Sequence, residues 1–270
     1  MRPQSETASE NESQSESDHE PGSTPPLRKL EVVFVDLVRC SPLLDWAEQE
    51  TPRLSDHDLQ RAAARAAHTG GDGLWRTARI ALRIVLERWA GPALRQAPFT
   101  IDSGGRPRLA ASSLAGGLPA FSHAHSGGAA LIAVAQHDPI GVDIEALRPL
   151  RMSDDRRLRV EQAGQRLAAD VTLTGDDTAR GLQAWVRLEA VAKASGAGIG
   201  ATLTDAGVVG PRSGRASAPH AAPLAVRDLA LAQGYFAAVA APALPLDVVI
   251  VNFPTEAHAL SRFIAQAAAL

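Results

Sequence analysis

"AALIAVAQHDPIGVDIE", residues 129–145, joins an Ala/Val-rich run to a second apolar run through a turn containing Pro139. Short apolar runs bounded by turn residues read as β-strands. About 105 residues later, "GYFAAVAAPALPLDVVIV", residues 234–251, repeats the order of an A-V-A strand, a Pro-containing turn and a second apolar strand. Recurrence at that separation fits two similar lobes, or two Ala/Val hairpins that are alike by composition. The second copy reads Leu246-Asp247-Val248-Val249 where the first has Gly141-Val142-Asp143-Ile144-Glu145, so only the first carries a D-x-E pair.

Outward from these strands, the sequence divides into an acidic head and a mixed body. Residues 1–27 hold six acidic residues against Arg2 alone, a net −5, and almost no large apolar side chains. Such a segment cannot repay the entropy of ordering and reads as a disordered tail. The whole chain of 270 residues carries −3, which leaves +2 for the remainder. That body has no strong nucleic-acid signature, although a local basic patch can hold a small polyanion. With 45% hydrophobic residues it can build a sizeable core. No apolar run is long enough to span a membrane and no secretory signal is evident, so a cytoplasmic protein is expected. Cys40 is the only cysteine, which excludes an intrachain disulfide and multi-cysteine metal centres.

"LEVVFVDL", residues 30–37, reads as the first strand of the folded part. Ser55 with Asp58 resembles a loose capping box that opens a helix over "SDHDLQRAAARAA". "LWRTARIALRIVLERWAG" has apolar residues at helical spacing and a Gly91-Pro92 stop, with Arg76, Arg79 and Arg83 on one face. Strands are expected at "FTID", "SGGRPRL", "GLPAFSH", "AALIAVA" and "IGVDIE", helices at "RRLRVEQAGQRLAA" and "LQAWVRLEAVAKAS", a loop at "GRASAPHAAP", and final strands at "GYFAAVA" and "LDVVIVNF".

Asp143 and Glu145 are one residue apart in an apolar strand, which puts both carboxylates on one face with Cα atoms roughly 6.6 Å apart. The pair suits a shared hard cation such as Mg²⁺, and equally a solvated strand end. Trp185, Glu189 and Lys193 recur at i, i+4 and i+8 along one helical face. Glu189 and Lys193 alone would form an ordinary surface ion pair. If that face meets the carboxylate strand, Glu189 becomes a third oxygen donor and Lys193 a cation aimed at the same anionic ligand. In His125-Ser126-Gly127-Gly128 the glycines admit a ligand close to the backbone, and the imidazole is either a phosphate donor or a turn residue; His123 alternates to the same face. "GGRPRL" sets Arg106 beside Pro107, in a ligand-binding turn or a plain hairpin.

Taken in order, "GRPRL", "FSHAHSG", "IGVDIE" and "WVRLEAVAKASGAG" resemble the 4′-phosphopantetheinyl transferase superfamily, in particular its larger, pseudo-dimeric class that activates peptide synthetases and other carrier proteins. The resemblance runs over about residues 30–240. It implies an α/β (α+β) fold of two similar lobes, here 28–145 and 146–270, with the active site in the cleft between them. It further implies Mg²⁺, or Mn²⁺, held by Asp143, Glu145 and Glu189. Glu189 and Lys193 would be catalytic, and coenzyme A would be bound by Arg83, Arg106, Pro107 and His125, with Arg76 or Arg79 contributing to the 3′-phosphate. The implied reaction moves 4′-phosphopantetheine from coenzyme A to a serine of an apo acyl or peptidyl carrier protein and releases 3′,5′-ADP. No nucleic-acid or membrane partner is expected, and a pseudo-dimer implies a monomer.

The chain departs from the family's W-x-x-K-E pattern at Leu188, where lysine is usual, and Ser122 stands where asparagine is common. Arg187 points about 100° away from Leu188 on a helix and is no automatic substitute. Leu188 motivates an alternative: a non-catalytic coenzyme A or carrier-protein binder with a degenerate site. A Mg²⁺-dependent phosphohydrolase using the same carboxylates is a further one.

Overall fold

The computed structural model describes residues 29–69, 73–102, 105–110, 119–135, 139–210, 223–231, 234–242 and 247–266. The tail read at 1–27 and, except for Pro223, the loop read at 214–223 lie outside them. β1 (Lys29–Asp36) leads into α1 (Leu37–Glu50), α2 (Asp56–Thr69) and α3 (Leu74–Ala90), then the short β2 (Phe99–Ile101) and β3 (Pro107–Leu109). β4 (Ala120–Ser126), β5 (Ala129–Ala135) and β6 (Gly141–Ala146) follow, then α4 (Asp154–Leu167), α5 (Asp177–Ser195) and α6 (Ile199–Asp205). The chain continues through β7 (Leu224–Asp228), β8 (Tyr235–Pro242), β9 (Asp247–Asn252) and α7 (Ala257–Ala265).

The strands form a sheet of order β4-β5-β1-β9, a second of order β6-β8-β7, and the β2–β3 hairpin. In the first sheet β1 pairs antiparallel with β5 and parallel with β9. Both sequence repeats change sheets at their Pro-containing turns, β5 to β6 in one direction and β8 to β9 in the other. β6 pairs with β8 in the second sheet, whereas β9 returns to β1 in the first, with α7 following it onto the first sheet's core through Leu260 and Phe263.

Alternation within each strand gives the layers. Val33 and Val35 of β1 and Ile132 and Val134 of β5 face the helices α1, α3 and α7. Leu30, Val32, Leu131 and Ala133 face the opposite way and share one apolar cluster with Val142, Ile144 and Val239 of the second sheet. The order is therefore helices, sheet, sheet, helices. Because Val142 and Ile144 point into the layer between the sheets, Asp143 and Glu145 point to the other side of β6. Gly141 lets α5 lie there: a Cβ on it would stand 2.0 Å from the Ala190 carbonyl oxygen. On the far side of α5, a Cβ on Gly164 of α4 would lie 2.5 Å from Ala184.

The sheets meet at the edges of β4 and β6 without a continuous backbone ladder. Ser122 Oγ accepts the Val142 N–H at 3.0 Å and Ser126 Oγ accepts the Ala146 N–H at 3.2 Å. These hydroxyls satisfy edge donors that would otherwise be left unpaired.

The Ser55–Asp58 box forms as read, with Ser55 Oγ donating to Asp58 at 3.0 Å and accepting the Asp58 N–H at 3.2 Å. α1, absent from the sequence reading because Pro42 and its irregular pattern mask it, is opened by Asp36, which accepts the Arg39 N–H at 2.9 Å. Cys40 is fully buried on α1, and burial first, then Asp36, pushes its thiol up to about 11. A water-soluble maleimide at neutral pH is expected to label Cys40 only as the protein unfolds; native-state labelling at the rate of a free thiol would contradict this packing.

Candidate active site

β4 and β6, the β2–β3 hairpin, α2, α3 and α5 enclose a cleft of two adjoining cavities, about 340 and 240 Å³, which share Gly105, Pro107, His123 and Lys193 on their walls. On its β6 side, Asp143 and Glu145 line the larger cavity. From α5 come Lys193, which lines both cavities, and Glu189, which lines the smaller one. Thus the two elements that the sequence could only juxtapose conditionally do meet. Lys193 Nζ donates to Asp143 Oδ1 at 2.5 Å. Glu145 takes a hydrogen bond from Ser126 Oγ at 2.8 Å and an ion pair from Arg148, also 2.8 Å.

The local charge is held at a cost. Burial raises the Asp143 carboxyl above its ordinary value, against the opposing pull of Lys193. Burial likewise raises Glu189, and the neighbouring Asp143 and Glu145 add to it. Two residues on the larger cavity each carry a buried atom without a hydrogen-bond partner among the described residues: Oδ2 of Asp143 and Nη1 of Arg79. An unpartnered carboxylate oxygen suits a cation and an unpartnered guanidinium nitrogen suits an anion. As their side chains stand, no three His, Cys, Asp or Glu residues among those described are gathered closely enough to hold a metal ion; Lys193 and Arg148 occupy the carboxylates instead.

His123 and His125 lie two residues apart on β4 and both line the larger cavity, as alternation requires. Burial, then Arg79, Lys193 and His125, push the His123 imidazole well below its usual 6.5. Because the folded form resists a proton that the unfolded chain accepts, this contribution to stability is full above about pH 6.5 and is lost as pH falls below it. Replacing His123 with glutamine should flatten the acid limb of the stability–pH curve, by up to about 1.4 kcal/mol per pH unit. Parallel acid limbs for the two proteins would refute it.

The arginines separate. Arg79, only 7% exposed, reaches Asp58 at 3.3 Å and lies 5.0 Å from the centre of the Trp75 ring, where Arg61 and Arg65 of α2 also gather. Burial lowers its guanidinium to about 10, with Arg83, Arg61 and Arg65 adding to the shift against Asp58. Arg76 turns away to Asp45 of α1. Arg83 is fully buried, held by Asp58 at 2.5 Å and by the Ala97 carbonyl. Neither of these two lines either cavity: α3 is covered on nearly all sides, and two of its three aligned arginines are spent on neighbouring helices and loops. Arg106 lines the smaller cavity but spends hydrogen bonds on the carbonyls of Phe121 and Ile140, both at 3.0 Å, while Pro107 lines both cavities. Arg61, Arg65 and Trp75 were not read as site residues from sequence; the i, i+4 spacing of the two arginines on α2 was the available signal.

On α5, Trp185 packs against the cluster formed with α4 and α6 rather than lining the cleft. Leu188 is 1% exposed in that same cluster. Arg187 is buried on Asp228 of β7 at 2.6 Å and donates to the Gly164 and Val171 carbonyls.

A Synechocystis sp. protein, whose name assigns it provisionally as a 4′-phosphopantetheinyl transferase, is 34% identical to the chain over 130 residues. That similarity supports membership in the 4′-phosphopantetheinyl transferase superfamily. The matched stretch covers 47% of this chain and 51% of the relative, so the chain spans about half the length of the curated relative it matches. No family model matches. As for other surroundings, no helix among the described residues is long and apolar enough to cross a membrane.

Proposed function

We propose that the chain transfers 4′-phosphopantetheine from coenzyme A to a serine hydroxyl of an acyl or peptidyl carrier protein, releasing 3′,5′-ADP. The observation that carries this reading is the pairing, on one cavity, of a buried unpartnered carboxylate oxygen on Asp143 with a buried unpartnered guanidinium nitrogen on Arg79. A polyphosphate ester accompanied by a divalent cation satisfies both. A shared three-strand antiparallel order supports the pseudo-dimeric architecture of the family: β4-β5-β1 in the first sheet, to which β9 adds in parallel, and β7-β8-β6 in the second.

In this mechanism Asp143, Glu145 and Glu189 would hold Mg²⁺, whose chemistry is to neutralise charge on the pyrophosphate. Lys193 swings from Asp143 to the reacting phosphate, where its ammonium stabilises the charge that develops as the bridging P–O bond breaks. Arg79 binds the 3′-phosphate of coenzyme A, His125 donates to a phosphate of the same molecule, and Pro107 forms part of the wall beside the adenine. Glu189, or a water held by it, accepts the carrier serine's proton as its oxygen bonds to phosphorus. Coordination to the metal would lower the basicity of Glu189, which favours the water it holds as the immediate proton acceptor. Leu188, the departure that motivated a binding-only protein, packs in the core and so gives that alternative no support in the cleft.

The experiment is to incubate the protein with coenzyme A, Mg²⁺ and a panel of apo carrier proteins and weigh the carriers intact. A serine-dependent gain of one phosphopantetheine, abolished by EDTA, is expected. Retained coenzyme A binding without any gain would point to the binding-only protein.

A further inference from the structure

The Ser126 hydroxyl sits between two partners and leaves little freedom in either. Its oxygen accepts the Ala146 N–H at 3.2 Å and its proton is directed to Glu145 Oε2 at 2.8 Å. The turn that carries it is itself fixed. A Cβ on Gly127, whose φ is +59°, would lie 2.4 Å from the Ala146 Cβ, and Tyr235 Oη donates to the Gly127 carbonyl at 3.1 Å. One oxygen of Glu145 is therefore aimed by a hydroxyl anchored to two strands. The other oxygen, Oε1, is held by Arg148 at 2.8 Å, from the loop after β6, with the arginine side chain 48% exposed against 15% for Glu145. Exposed ion pairs of this kind contribute little and exchange readily. The two contacts thus differ in kind: one orients, and the other neutralises until something else does.

We propose that Ser126 is a positioning residue for Glu145 as a divalent-cation ligand, and that Arg148 is the displaceable counter-ion of the same carboxylate. The assignment rests on the reading of Glu145 as a metal ligand given above. Hydrogen-bond partners of metal-ligating side chains fix their orientation, and their loss typically weakens metal binding.

The test is a titration of the full chain with Mn²⁺ followed by electron paramagnetic resonance, which reads binding without any carrier or turnover. Ser126→Ala is expected to weaken Mn²⁺ binding about tenfold, with recovery in Ser126→Thr, which restores the hydroxyl. Arg148→Ala is expected to tighten it, by removing the competing cation. If Ser126→Ala does not fold, Ser126→Cys, of similar volume but a weak donor, takes its place with the same expectation. Wild-type affinity in the serine variant, or failure of threonine to restore it, overturns the positioning role. Unchanged or weaker binding in Arg148→Ala overturns the counter-ion role, and absence of Mn²⁺ binding by the wild type overturns the whole assignment. Should the wild type modify no carrier while this Mn²⁺ pattern holds, the transferase reading fails and the assignment stands.

Discussion

Glu189→Gln is expected to cut transfer to a carrier serine by on the order of 10³-fold while leaving the protein folded and slightly more stable in metal-free buffer at neutral pH. The two effects have one origin. Burial, reinforced by Asp143 and Glu145, raises the folded-state carboxyl above its usual 4.5. A carboxyl raised on folding favours the folded state only at low pH, and that advantage is lost as pH rises through the folded value. Ionised Glu189 therefore costs stability at neutral pH, and the neutral amide removes the cost along with the proposed proton acceptor and metal ligand. Thermal melts in EDTA and intact-mass transfer assays check the pair. A glutamine variant with unchanged turnover would remove Glu189 from the mechanism, and a destabilised one would contradict the charge crowding.

The second large effect is on stability. Leu188→Lys, the substitution that restores the family's usual residue, is expected to cost about 3–5 kcal/mol, because it forces an ammonium into an apolar cluster of Val160, Ala163, Ala184 and Leu203. For a chain of this size that lowers the melting midpoint by on the order of 10 °C. It should bring no gain in transfer, since the side chain lies outside the cleft. A variant that melts normally and turns over faster would mean that α5 is rotated about its axis relative to this arrangement.

That expectation illustrates how far sequence reading reaches. Carboxylates at alternate positions of β6, and Glu189 and Lys193 one turn apart on α5, were legible because strand and helix periods decide which side chains share a face. Whether the two faces meet was not legible, because it depends on Gly141 admitting the α5 backbone, a contact that only three-dimensional packing reveals. The arginines of α3 show the same limit. Their common face was read correctly from spacing, but Asp45 and Asp58, which claim Arg76 and Arg83, lie on other helices. α1 and α7 escaped because neither presents a clear apolar period with an obvious start and stop. The repeated strands were found, yet their exchange between sheets was not, since pairing partners leave little trace in composition.

The exchange that returns β9 to β1 bears on how the chain is made. β1 is synthesised well before its parallel neighbour, encoded at residues 247–252, so one edge of the first sheet stays unpaired until β9 is made. Exposed apolar edges invite association with other chains, and pairing across so long a separation is slow. Nascent or truncated forms lacking β9 would thus be the species most prone to aggregate, and the ones for which chaperone capture matters most.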